Sequence, residues 1–472
     1  MATAEVEDTA DRQSVTIKAA RNLATTTKTA PQITGLTPRW LLHLLPWVQV
    51  PGGTYRVNRR RVVVRADEKV AIHLDGRNAS ISVQSLKGIS LLRSLDDSVL
   101  ADLAGRFTTE HFESGDTIVK EGDTGDKFFI IADGKVECTT LGPNRETLRL
   151  RLLSGGDYFG EIALIEEKPR TATVRAITPS TVLALPRPQF EALLKGAPKL
   201  QADFRRAVDQ RLKASSLANE YGEEVLKVSA GHDEATDIAE SHVDYEDDPR
   251  EYPLSVVQTV LNVHTRVSDI YNEPIDQLNE QIRQTVEGMK ETQEREIINN
   301  PEFGLLHAAG RSMRIPTRSG PPTPNDMDEL ISMVWKEPAY FLAHPKAIAA
   351  FGRECTSRGV PPATINLFGS PFLTWRGIPI VPSDKMLIER KGRSVPNTNI
   401  LLMRVGEKKQ GVVGLHQAGI PGELSPSLSV RFMGIDSKAI ASYLLTLYFS
   451  AAVLTDDALA VLEGVEVNHY HD

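Results

Sequence analysis

Phe159-Gly160-Glu161-Ile162-Ala163-Leu164, followed by Pro169-Arg170-Thr171-Ala172-Thr173-Val174, is the stretch that decides the fold of the middle of this 472-residue chain. A glycine ahead of a helical turn leaves backbone N–H groups available to an anion. Glu161 can accept from a sugar hydroxyl, and the Arg170 guanidinium offers a planar fork to phosphate oxygens. Nine positions separate the two, so a helical turn and a short loop can bring both to one ligand. Such residues in this order describe a pocket for a cyclic phosphate ester.

Working outward, Leu95, Val99, Leu100 and Leu103 mark one apolar face of an entry helix. Short apolar runs follow, punctuated by Ser114-Gly115-Asp116, Glu121-Gly122-Asp123 and Asp133-Gly134-Lys135, the pattern of a small jelly-roll barrel. With cassette, turns and strands in this order, the segment resembles the cyclic-nucleotide-binding domain of bacterial catabolite activators and kinase regulatory subunits. The resemblance implies a site built on Phe159, Gly160, Glu161, Ile162, Ala163, Arg170, Thr171 and Ala172, with cAMP or cGMP as candidate ligand and no required cofactor. In some relatives a threonine at the place of Thr171 accompanies a preference for the guanine nucleotide. A base-capping lid is expected beyond Arg205, at Leu212, Leu217 or Tyr221. Glu166 and Glu167 lower the positive potential beside Arg170.

The formal net charge of −8 is not evenly spread. Glu220 to Glu251 holds twelve acids against Lys227 and Arg250, a balance of −10, which leaves about +2 for the rest. Only Cys138 and Cys355 are present, which excludes a disulfide framework and a cysteine metal cluster and fits a reducing cytoplasm. The first thirty residues lack the continuous apolar core of an export signal. The sixteen-residue run from Ala439 to Leu454 is short of the roughly twenty apolar residues of a membrane span and reads as a buried helix. Trp40 to Trp47 reads as an aromatic packing element.

Beyond the acidic stretch the chain changes character. Val257, Thr259, Leu261, Val263, Thr265 and Val267 alternate as in a long strand. Pro274 then opens a helix in which Ile275, Leu278, Ile282, Val286 and Met289 recur every three or four positions. Before the nucleotide-binding segment lies another strand-rich region, Thr54 to Ser85, so the binding module interrupts a β-hairpin of a host.

Thr37-Pro38-Arg39-Trp40-Leu41-Leu42, Leu45-Pro46-Trp47-Val48-Gln49-Val50, Trp335-Lys336-Glu337-Pro338, Asn366-Leu367-Phe368-Gly369-Ser370-Pro371 and Ile378-Pro379-Ile380-Val381-Pro382-Ser383 carry a second resemblance. They resemble encapsulin shell proteins of the second family, in the branch called 2B. The implied fold class is α+β: a tailed-bacteriophage major-capsid-like (Hong Kong 97-like) host with an inserted jelly-roll nucleotide-binding domain. The boundaries are an N-terminal arm (1–50), the first part of an extended loop (51–88), the inserted domain (89–213), an acidic flexible linker (214–252), a return strand with spine helix (253–326), and a mainly axial domain (327–472). Residues 54–85 and 256–271 would be the two arms of the extended loop, and the arm at 1–50 would lace adjacent subunits together.

That resemblance implies a self-assembling icosahedral homo-oligomer, T=1, displaying the inserted domain outside and enclosing a cargo enzyme, a terpene cyclase or a polyprenyl transferase. A paralogous shell subunit is a further candidate partner; nucleic acid and membrane are not. Arg56, Arg59, Arg60, Arg61 and Arg65 read as salt-bridged at a subunit interface, having no aromatic interleaving for bases. His469 with His471 and Asp472 sits in a tail with no second shell to fix a metal. His43, His264 and His416 read as structural, and Cys355 as a buried thiol on a helix from Pro345 to Ser357. A phosphate-binding Gly-x-x-x-x-Gly-Lys loop, a Gly-x-Ser-x-Gly elbow and a His-Glu-x-x-His pair are all missing, as in a non-enzyme. Alternative readings are a nucleotide-responsive transcription regulator, a nucleotide-regulated enzyme, and a shell whose inserted domain is vestigial. An acidic stretch, not a basic helix-turn-helix, follows the domain, which disfavours the first.

Overall fold

Val57 and Arg250 face each other as partners on two short antiparallel strands, Thr54–Val57 and Arg250–Pro253. Between them the chain leaves one unit (1–57, 250–313 and 320–472) and builds another (58–249, with 314–319). The structure, a computed structural model, describes residues 15–24, 26–62, 69–75, 78–89, 92–93, 95–141, 147–160, 169–195, 223–226, 228, 240–389 and 395–470.

The first unit is built on two sheets and one long helix. Strand Ile440–Val453 is central to the first sheet, antiparallel to Ser255–His264, Leu428–Ile435 and Val412–His416. In the second sheet Tyr340–Ala343 lies between Ile378–Pro382, parallel to it, and Asn397–Met403, antiparallel. Leu459–Glu466 extends that sheet beyond Asn397–Met403. Helix Gln277–Asn299, about 35 Å long at 1.5 Å per residue, starts where the Asp276 carboxylate accepts from Asn279 N–H at 2.9 Å. Val286, Met289, Ile297 and Ile298 point into a core shared with Leu445, Leu447, Phe449 and Leu401.

Three expectations are corrected here. The run from Ala439 to Leu454 is a fourteen-residue strand, not a helix, flanked by strands on both edges and mostly buried, so it shows neither the helical nor the alternating period. The stretch 256–271 does not pair with 54–85: Ser255–His264 pairs with Ile440–Val453 and packs Val257 and Leu261 on the core, and helix Thr265–Ile270 ends it. The arginines near 60 meet acids of their own chain: Arg56 pairs with Glu251, Arg60 with Glu223 at 3.6 Å, and Arg61 with Asp244 at 3.5 Å. Arg65 lies outside the described residues. Part of the acidic stretch therefore lies alongside the arginine strand, with Arg61 N–H donating to the Asp244 carbonyl at 2.8 Å.

The aromatic element forms helix Trp40–Leu44, with Leu41 buried and the Trp40 ring stacked on Phe368 at 5.7 Å. It is tied to the long helix by carboxylates. Glu291 accepts from Thr37 N–H at 2.8 Å, from Arg39 at 3.0 Å and from Lys385 at 2.7 Å, while Glu294 accepts from Leu41 N–H at 3.1 Å. Burial pushes Glu294, 1% exposed, up to about 7. At Glu291 burial opposes ionisation, but Lys385 and Thr37 outweigh it and hold the carboxyl below its usual range. Helix Pro345–Ser357 buries Cys355, whose thiol is pushed up to about 11 by burial.

The second unit holds two four-stranded sheets. One runs Tyr158–Phe159, Lys127–Asp133, Ser180–Pro186, Thr108–Phe112; the other runs Thr117–Val119, Thr173–Ala176, Lys135–Leu141, Thr147–Ser154. Alternation along Lys127–Asp133 divides the core. Phe129 and Ile131 pack among Val136, Val174 and Val182 of both sheets, while Phe128 and Ile130 pack on Leu100, Leu103 and Phe190 of the flanking helices. The hairpin Ile72–Asp75 with Asn78–Ile81 joins this second core through Ile81 rather than continuing the strand at 54–57.

Candidate functional site

Tyr158 and Phe159 form the short strand that pairs with Ile130 and Phe129, and Gly160 follows it directly. The Phe159 ring, 5% exposed, stacks on Phe129 with centroids 5.0 Å apart, which fixes the backbone at Gly160. Gly160 has φ +79°, and a Cβ there would lie 2.5 Å from Arg170 Nη1 and 3.1 Å from the Lys127 carbonyl. Glycine is therefore needed twice over, for its left-handed backbone and for the space the guanidinium fills.

Arg170 is 9% exposed. Its main chain is clasped on both sides: Arg170 N–H donates to Asp123 O at 2.8 Å, and Gly122 N–H donates to Arg170 O at 2.9 Å. Its Nη2 donates to Lys127 O at 2.7 Å and lies 3.7 Å from Asp126 Oδ1, with the Phe129 ring 5.8 Å away. A guanidinium so held is pre-oriented beside the Gly160 backbone.

The turn that clasps Arg170 is itself tied down. Glu121 N–H donates to Thr173 Oγ1 at 3.0 Å, and Thr140 Oγ1 donates to Glu121 Oε1 at 3.1 Å. Thr171 is exposed and Ala172 half-buried. The structure thus brings Phe159, Gly160 and Arg170 together with Thr171 and Ala172 alongside. Glu161, Ile162 and Ala163, Glu166 and Glu167, and the lid candidates Leu212, Leu217 and Tyr221 lie outside the described residues. The sequence reading missed the Lys127 carbonyl, Asp126 and Phe129 as the frame of Arg170. Their signal is the Gly125-Asp126-Lys127-Phe128-Phe129 run, a Gly-Asp turn leading into an apolar strand.

Among the described residues no group of three or more His, Cys, Asp or Glu is placed to hold a metal. His471 and Asp472 lie outside the described residues, and His469 offers its carbonyl to Arg353 Nε at 3.0 Å. No helix among the described residues is long and apolar enough to cross a membrane.

Comparison with known proteins separates the same two parts. The model for the family "Type 2A encapsulin shell protein SrpI-like" matches residues 211–469, more than half of the chain, and a cyclic nucleotide-binding domain model matches residues 109–196. The chain is 59% identical over 246 residues to the type 2A encapsulin shell protein SrpI of Synechococcus elongatus, covering 52% of this chain and 79% of that protein. Over 116 residues it is 41% identical to isozyme 1 of the cGMP-dependent protein kinase of Drosophila melanogaster, 24% of this chain and 15% of that protein. The cryoEM structure of the holo-SrpI encapsulin complex from Synechococcus elongatus superposes with a TM-score of 0.55 and 37% identity, covering 97% of this chain and 99% of that one.

The fold is thus the α+β, capsid-like fold of an encapsulin shell, with an additional cyclic nucleotide-binding domain. The chain belongs to the encapsulin shell protein family. The 2B branch is corrected: the matching model is that of type 2A. The encapsulin relatives it matches are named as shell proteins.

Proposed function

We propose that copies of this chain close into an icosahedral T=1 shell in the cytoplasm, enclosing an enzyme, and that the inserted domain, displayed outside, binds cAMP or cGMP at Gly160 and Arg170. The observation that carries the nucleotide reading is the Arg170 guanidinium, 9% exposed, filling the space that only a glycine at position 160 leaves. Held in orientation by the Lys127 carbonyl and Asp126 beside a glycine backbone, that cation is placed to meet an anion. A paralogous subunit remains a candidate shell partner, and the reading gives no role to nucleic acid or membrane.

Calorimetric titration of purified shells with cAMP and with cGMP tests this. Wild type is expected to bind one of them. Arg170→Ala is expected to lose about 10- to 100-fold in affinity, the worth of one to two charge-assisted hydrogen bonds. No binding of either nucleotide by wild type, or equal binding by the variant, refutes the site.

A further inference from the structure

Strand Ser255–His264 lies at an edge of its sheet. It pairs with Ile440–Val453 along all ten of its residues without a register shift, and among the described residues no strand lies on its other side. An antiparallel strand of that length runs about 34 Å, and alternate residues turn their N–H and C=O groups away from the partner they have. So long a row of main-chain donors and acceptors is a template for another strand, and proteins that stay single blunt it with short strands, charges, prolines or bulges. Other outer strands of the shell unit are blunted. Trp47–Gln49 and Glu423–Ser425 have three residues each, and Ala363–Leu367 has five and follows Pro361-Pro362.

Ser255–His264 carries none of these devices. Its sequence, Ser-Val-Val-Gln-Thr-Val-Leu-Asn-Val-His, has no Asp, Glu, Lys or Arg and no proline, in a chain of which 25% is charged. Val257 and Leu261 pack on the core, whereas Val256, Gln258 and Val260 are exposed on the opposite face, the two valines at 46% and 47%. The lack of charge points to what covers the edge. When a strand pairs antiparallel with its own copy, a two-fold axis sets each residue against the same short stretch, so a charge near the axis meets its like. An uncharged strand is what self-pairing requires. A closed icosahedral shell has two-fold axes, and each needs a surface complementary to itself.

We infer that Ser255–His264 pairs antiparallel with the same strand of a second copy, joining two shell-unit sheets across a two-fold axis. The inference rests on the shell reading proposed above and names the surface used at that axis. Successive residues alternate between faces and directly opposite residues share one, so the axis passes beside a residue that faces its own copy. The registers that pair most of the strand place Thr259 or Val260 there.

Full-length protein carrying Thr259→Cys or Val260→Cys, one at a time, tests the pairing. Opposed residues on antiparallel strands have Cα atoms about 4.5 to 5.5 Å apart, within disulfide reach. Mild oxidation is expected to give a covalent dimer on non-reducing gels with one of the two, and none with wild type, whose Cys138 and Cys355 are buried. Val260→Lys, at an exposed position, brings two ammonium groups close across the axis. It is expected to lose the closed particles that wild type shows in negative-stain electron microscopy while keeping the circular dichroism of the folded chain. If wild type forms closed shells but neither cysteine cross-links, or Val260→Lys folds and forms shells as wild type does, the pairing is overturned and the shell reading stands. If Val260→Lys does not fold, the cysteine variants decide alone. If wild type forms no shells and a cysteine variant cross-links, the shell reading fails and the strand pairing stands as a dimer contact; with neither shells nor cross-links, both fail.

Discussion

Replacing Glu294 by Gln should change how the stability of the shell unit depends on pH. Glu294 is 1% exposed on the long helix, and its Oε1 accepts from Leu41 N–H at 3.1 Å. Burial raises its pKa from 4.5 to about 7, only partly offset by the Leu41 N–H and Lys385. The folded state therefore holds this proton more tightly than the unfolded chain does. Between pH 4.5 and 7 the native protein binds more protons than the unfolded one, so stability falls as pH rises, and above about 7 the contribution is gone. At about 1.4 kcal/mol per pH unit, the difference is about 3 kcal/mol. Glutamine keeps the acceptor for Leu41 and carries no charge to desolvate. Denaturant unfolding of wild type and Glu294→Gln, followed by near-ultraviolet circular dichroism at pH 5 and pH 8, should show near-equal stability at pH 5. At pH 8 the variant should be the more stable by up to about 3 kcal/mol. A stability difference that is the same at both pH values would refute the assignment of a buried, proton-binding Glu294.

Two further substitutions follow from packing and charge. Gly160→Ala forces a Cβ to 2.5 Å from Arg170 Nη1 at φ +79°, so it should abolish nucleotide binding in a calorimetric titration while thermal unfolding of the rest of the chain is little changed. Asp457→Asn should destabilise the shell unit by about 3 to 5 kcal/mol in denaturant unfolding, because Arg404, 1% exposed, is then left buried without its carboxylate at 2.7 Å. Burial opposes the charge on Asp457, but hydrogen bonds from Arg404, Lys336 and Thr455 hold it well below the usual carboxylate range, so the pair should survive mild acid.

What the sequence made legible follows the locality of the signal. Helix Pro345–Ser357 was read with its bounds, since a proline start and an amphipathic period are both written within thirteen residues. The jelly-roll was legible for the same reason: each strand is short, and each glycine turn sits beside the strand it ends. Ile440–Val453 was misread because a strand covered on both faces gives a continuous apolar run, which periodicity cannot tell from a buried helix. The strand of alternating residues was real to His264, but its partner is Ile440–Val453, almost two hundred positions away, and no local pattern names it. The same distance hid the clasp of Glu291 and Glu294 on Thr37 and Leu41. In the site, Gly160 and Arg170 were legible from their chemistry, whereas Lys127 frames Arg170 with a backbone carbonyl, which no residue type announces.

As proposed above, this chain is a shell subunit that displays its nucleotide-binding domain on the outside. Electron microscopy of the purified protein in negative stain tests it most directly. Hollow, closed particles of uniform diameter with regular projections from their surface are the predicted result. Small discrete oligomers at the same protein concentration, with no closed particles, would contradict it.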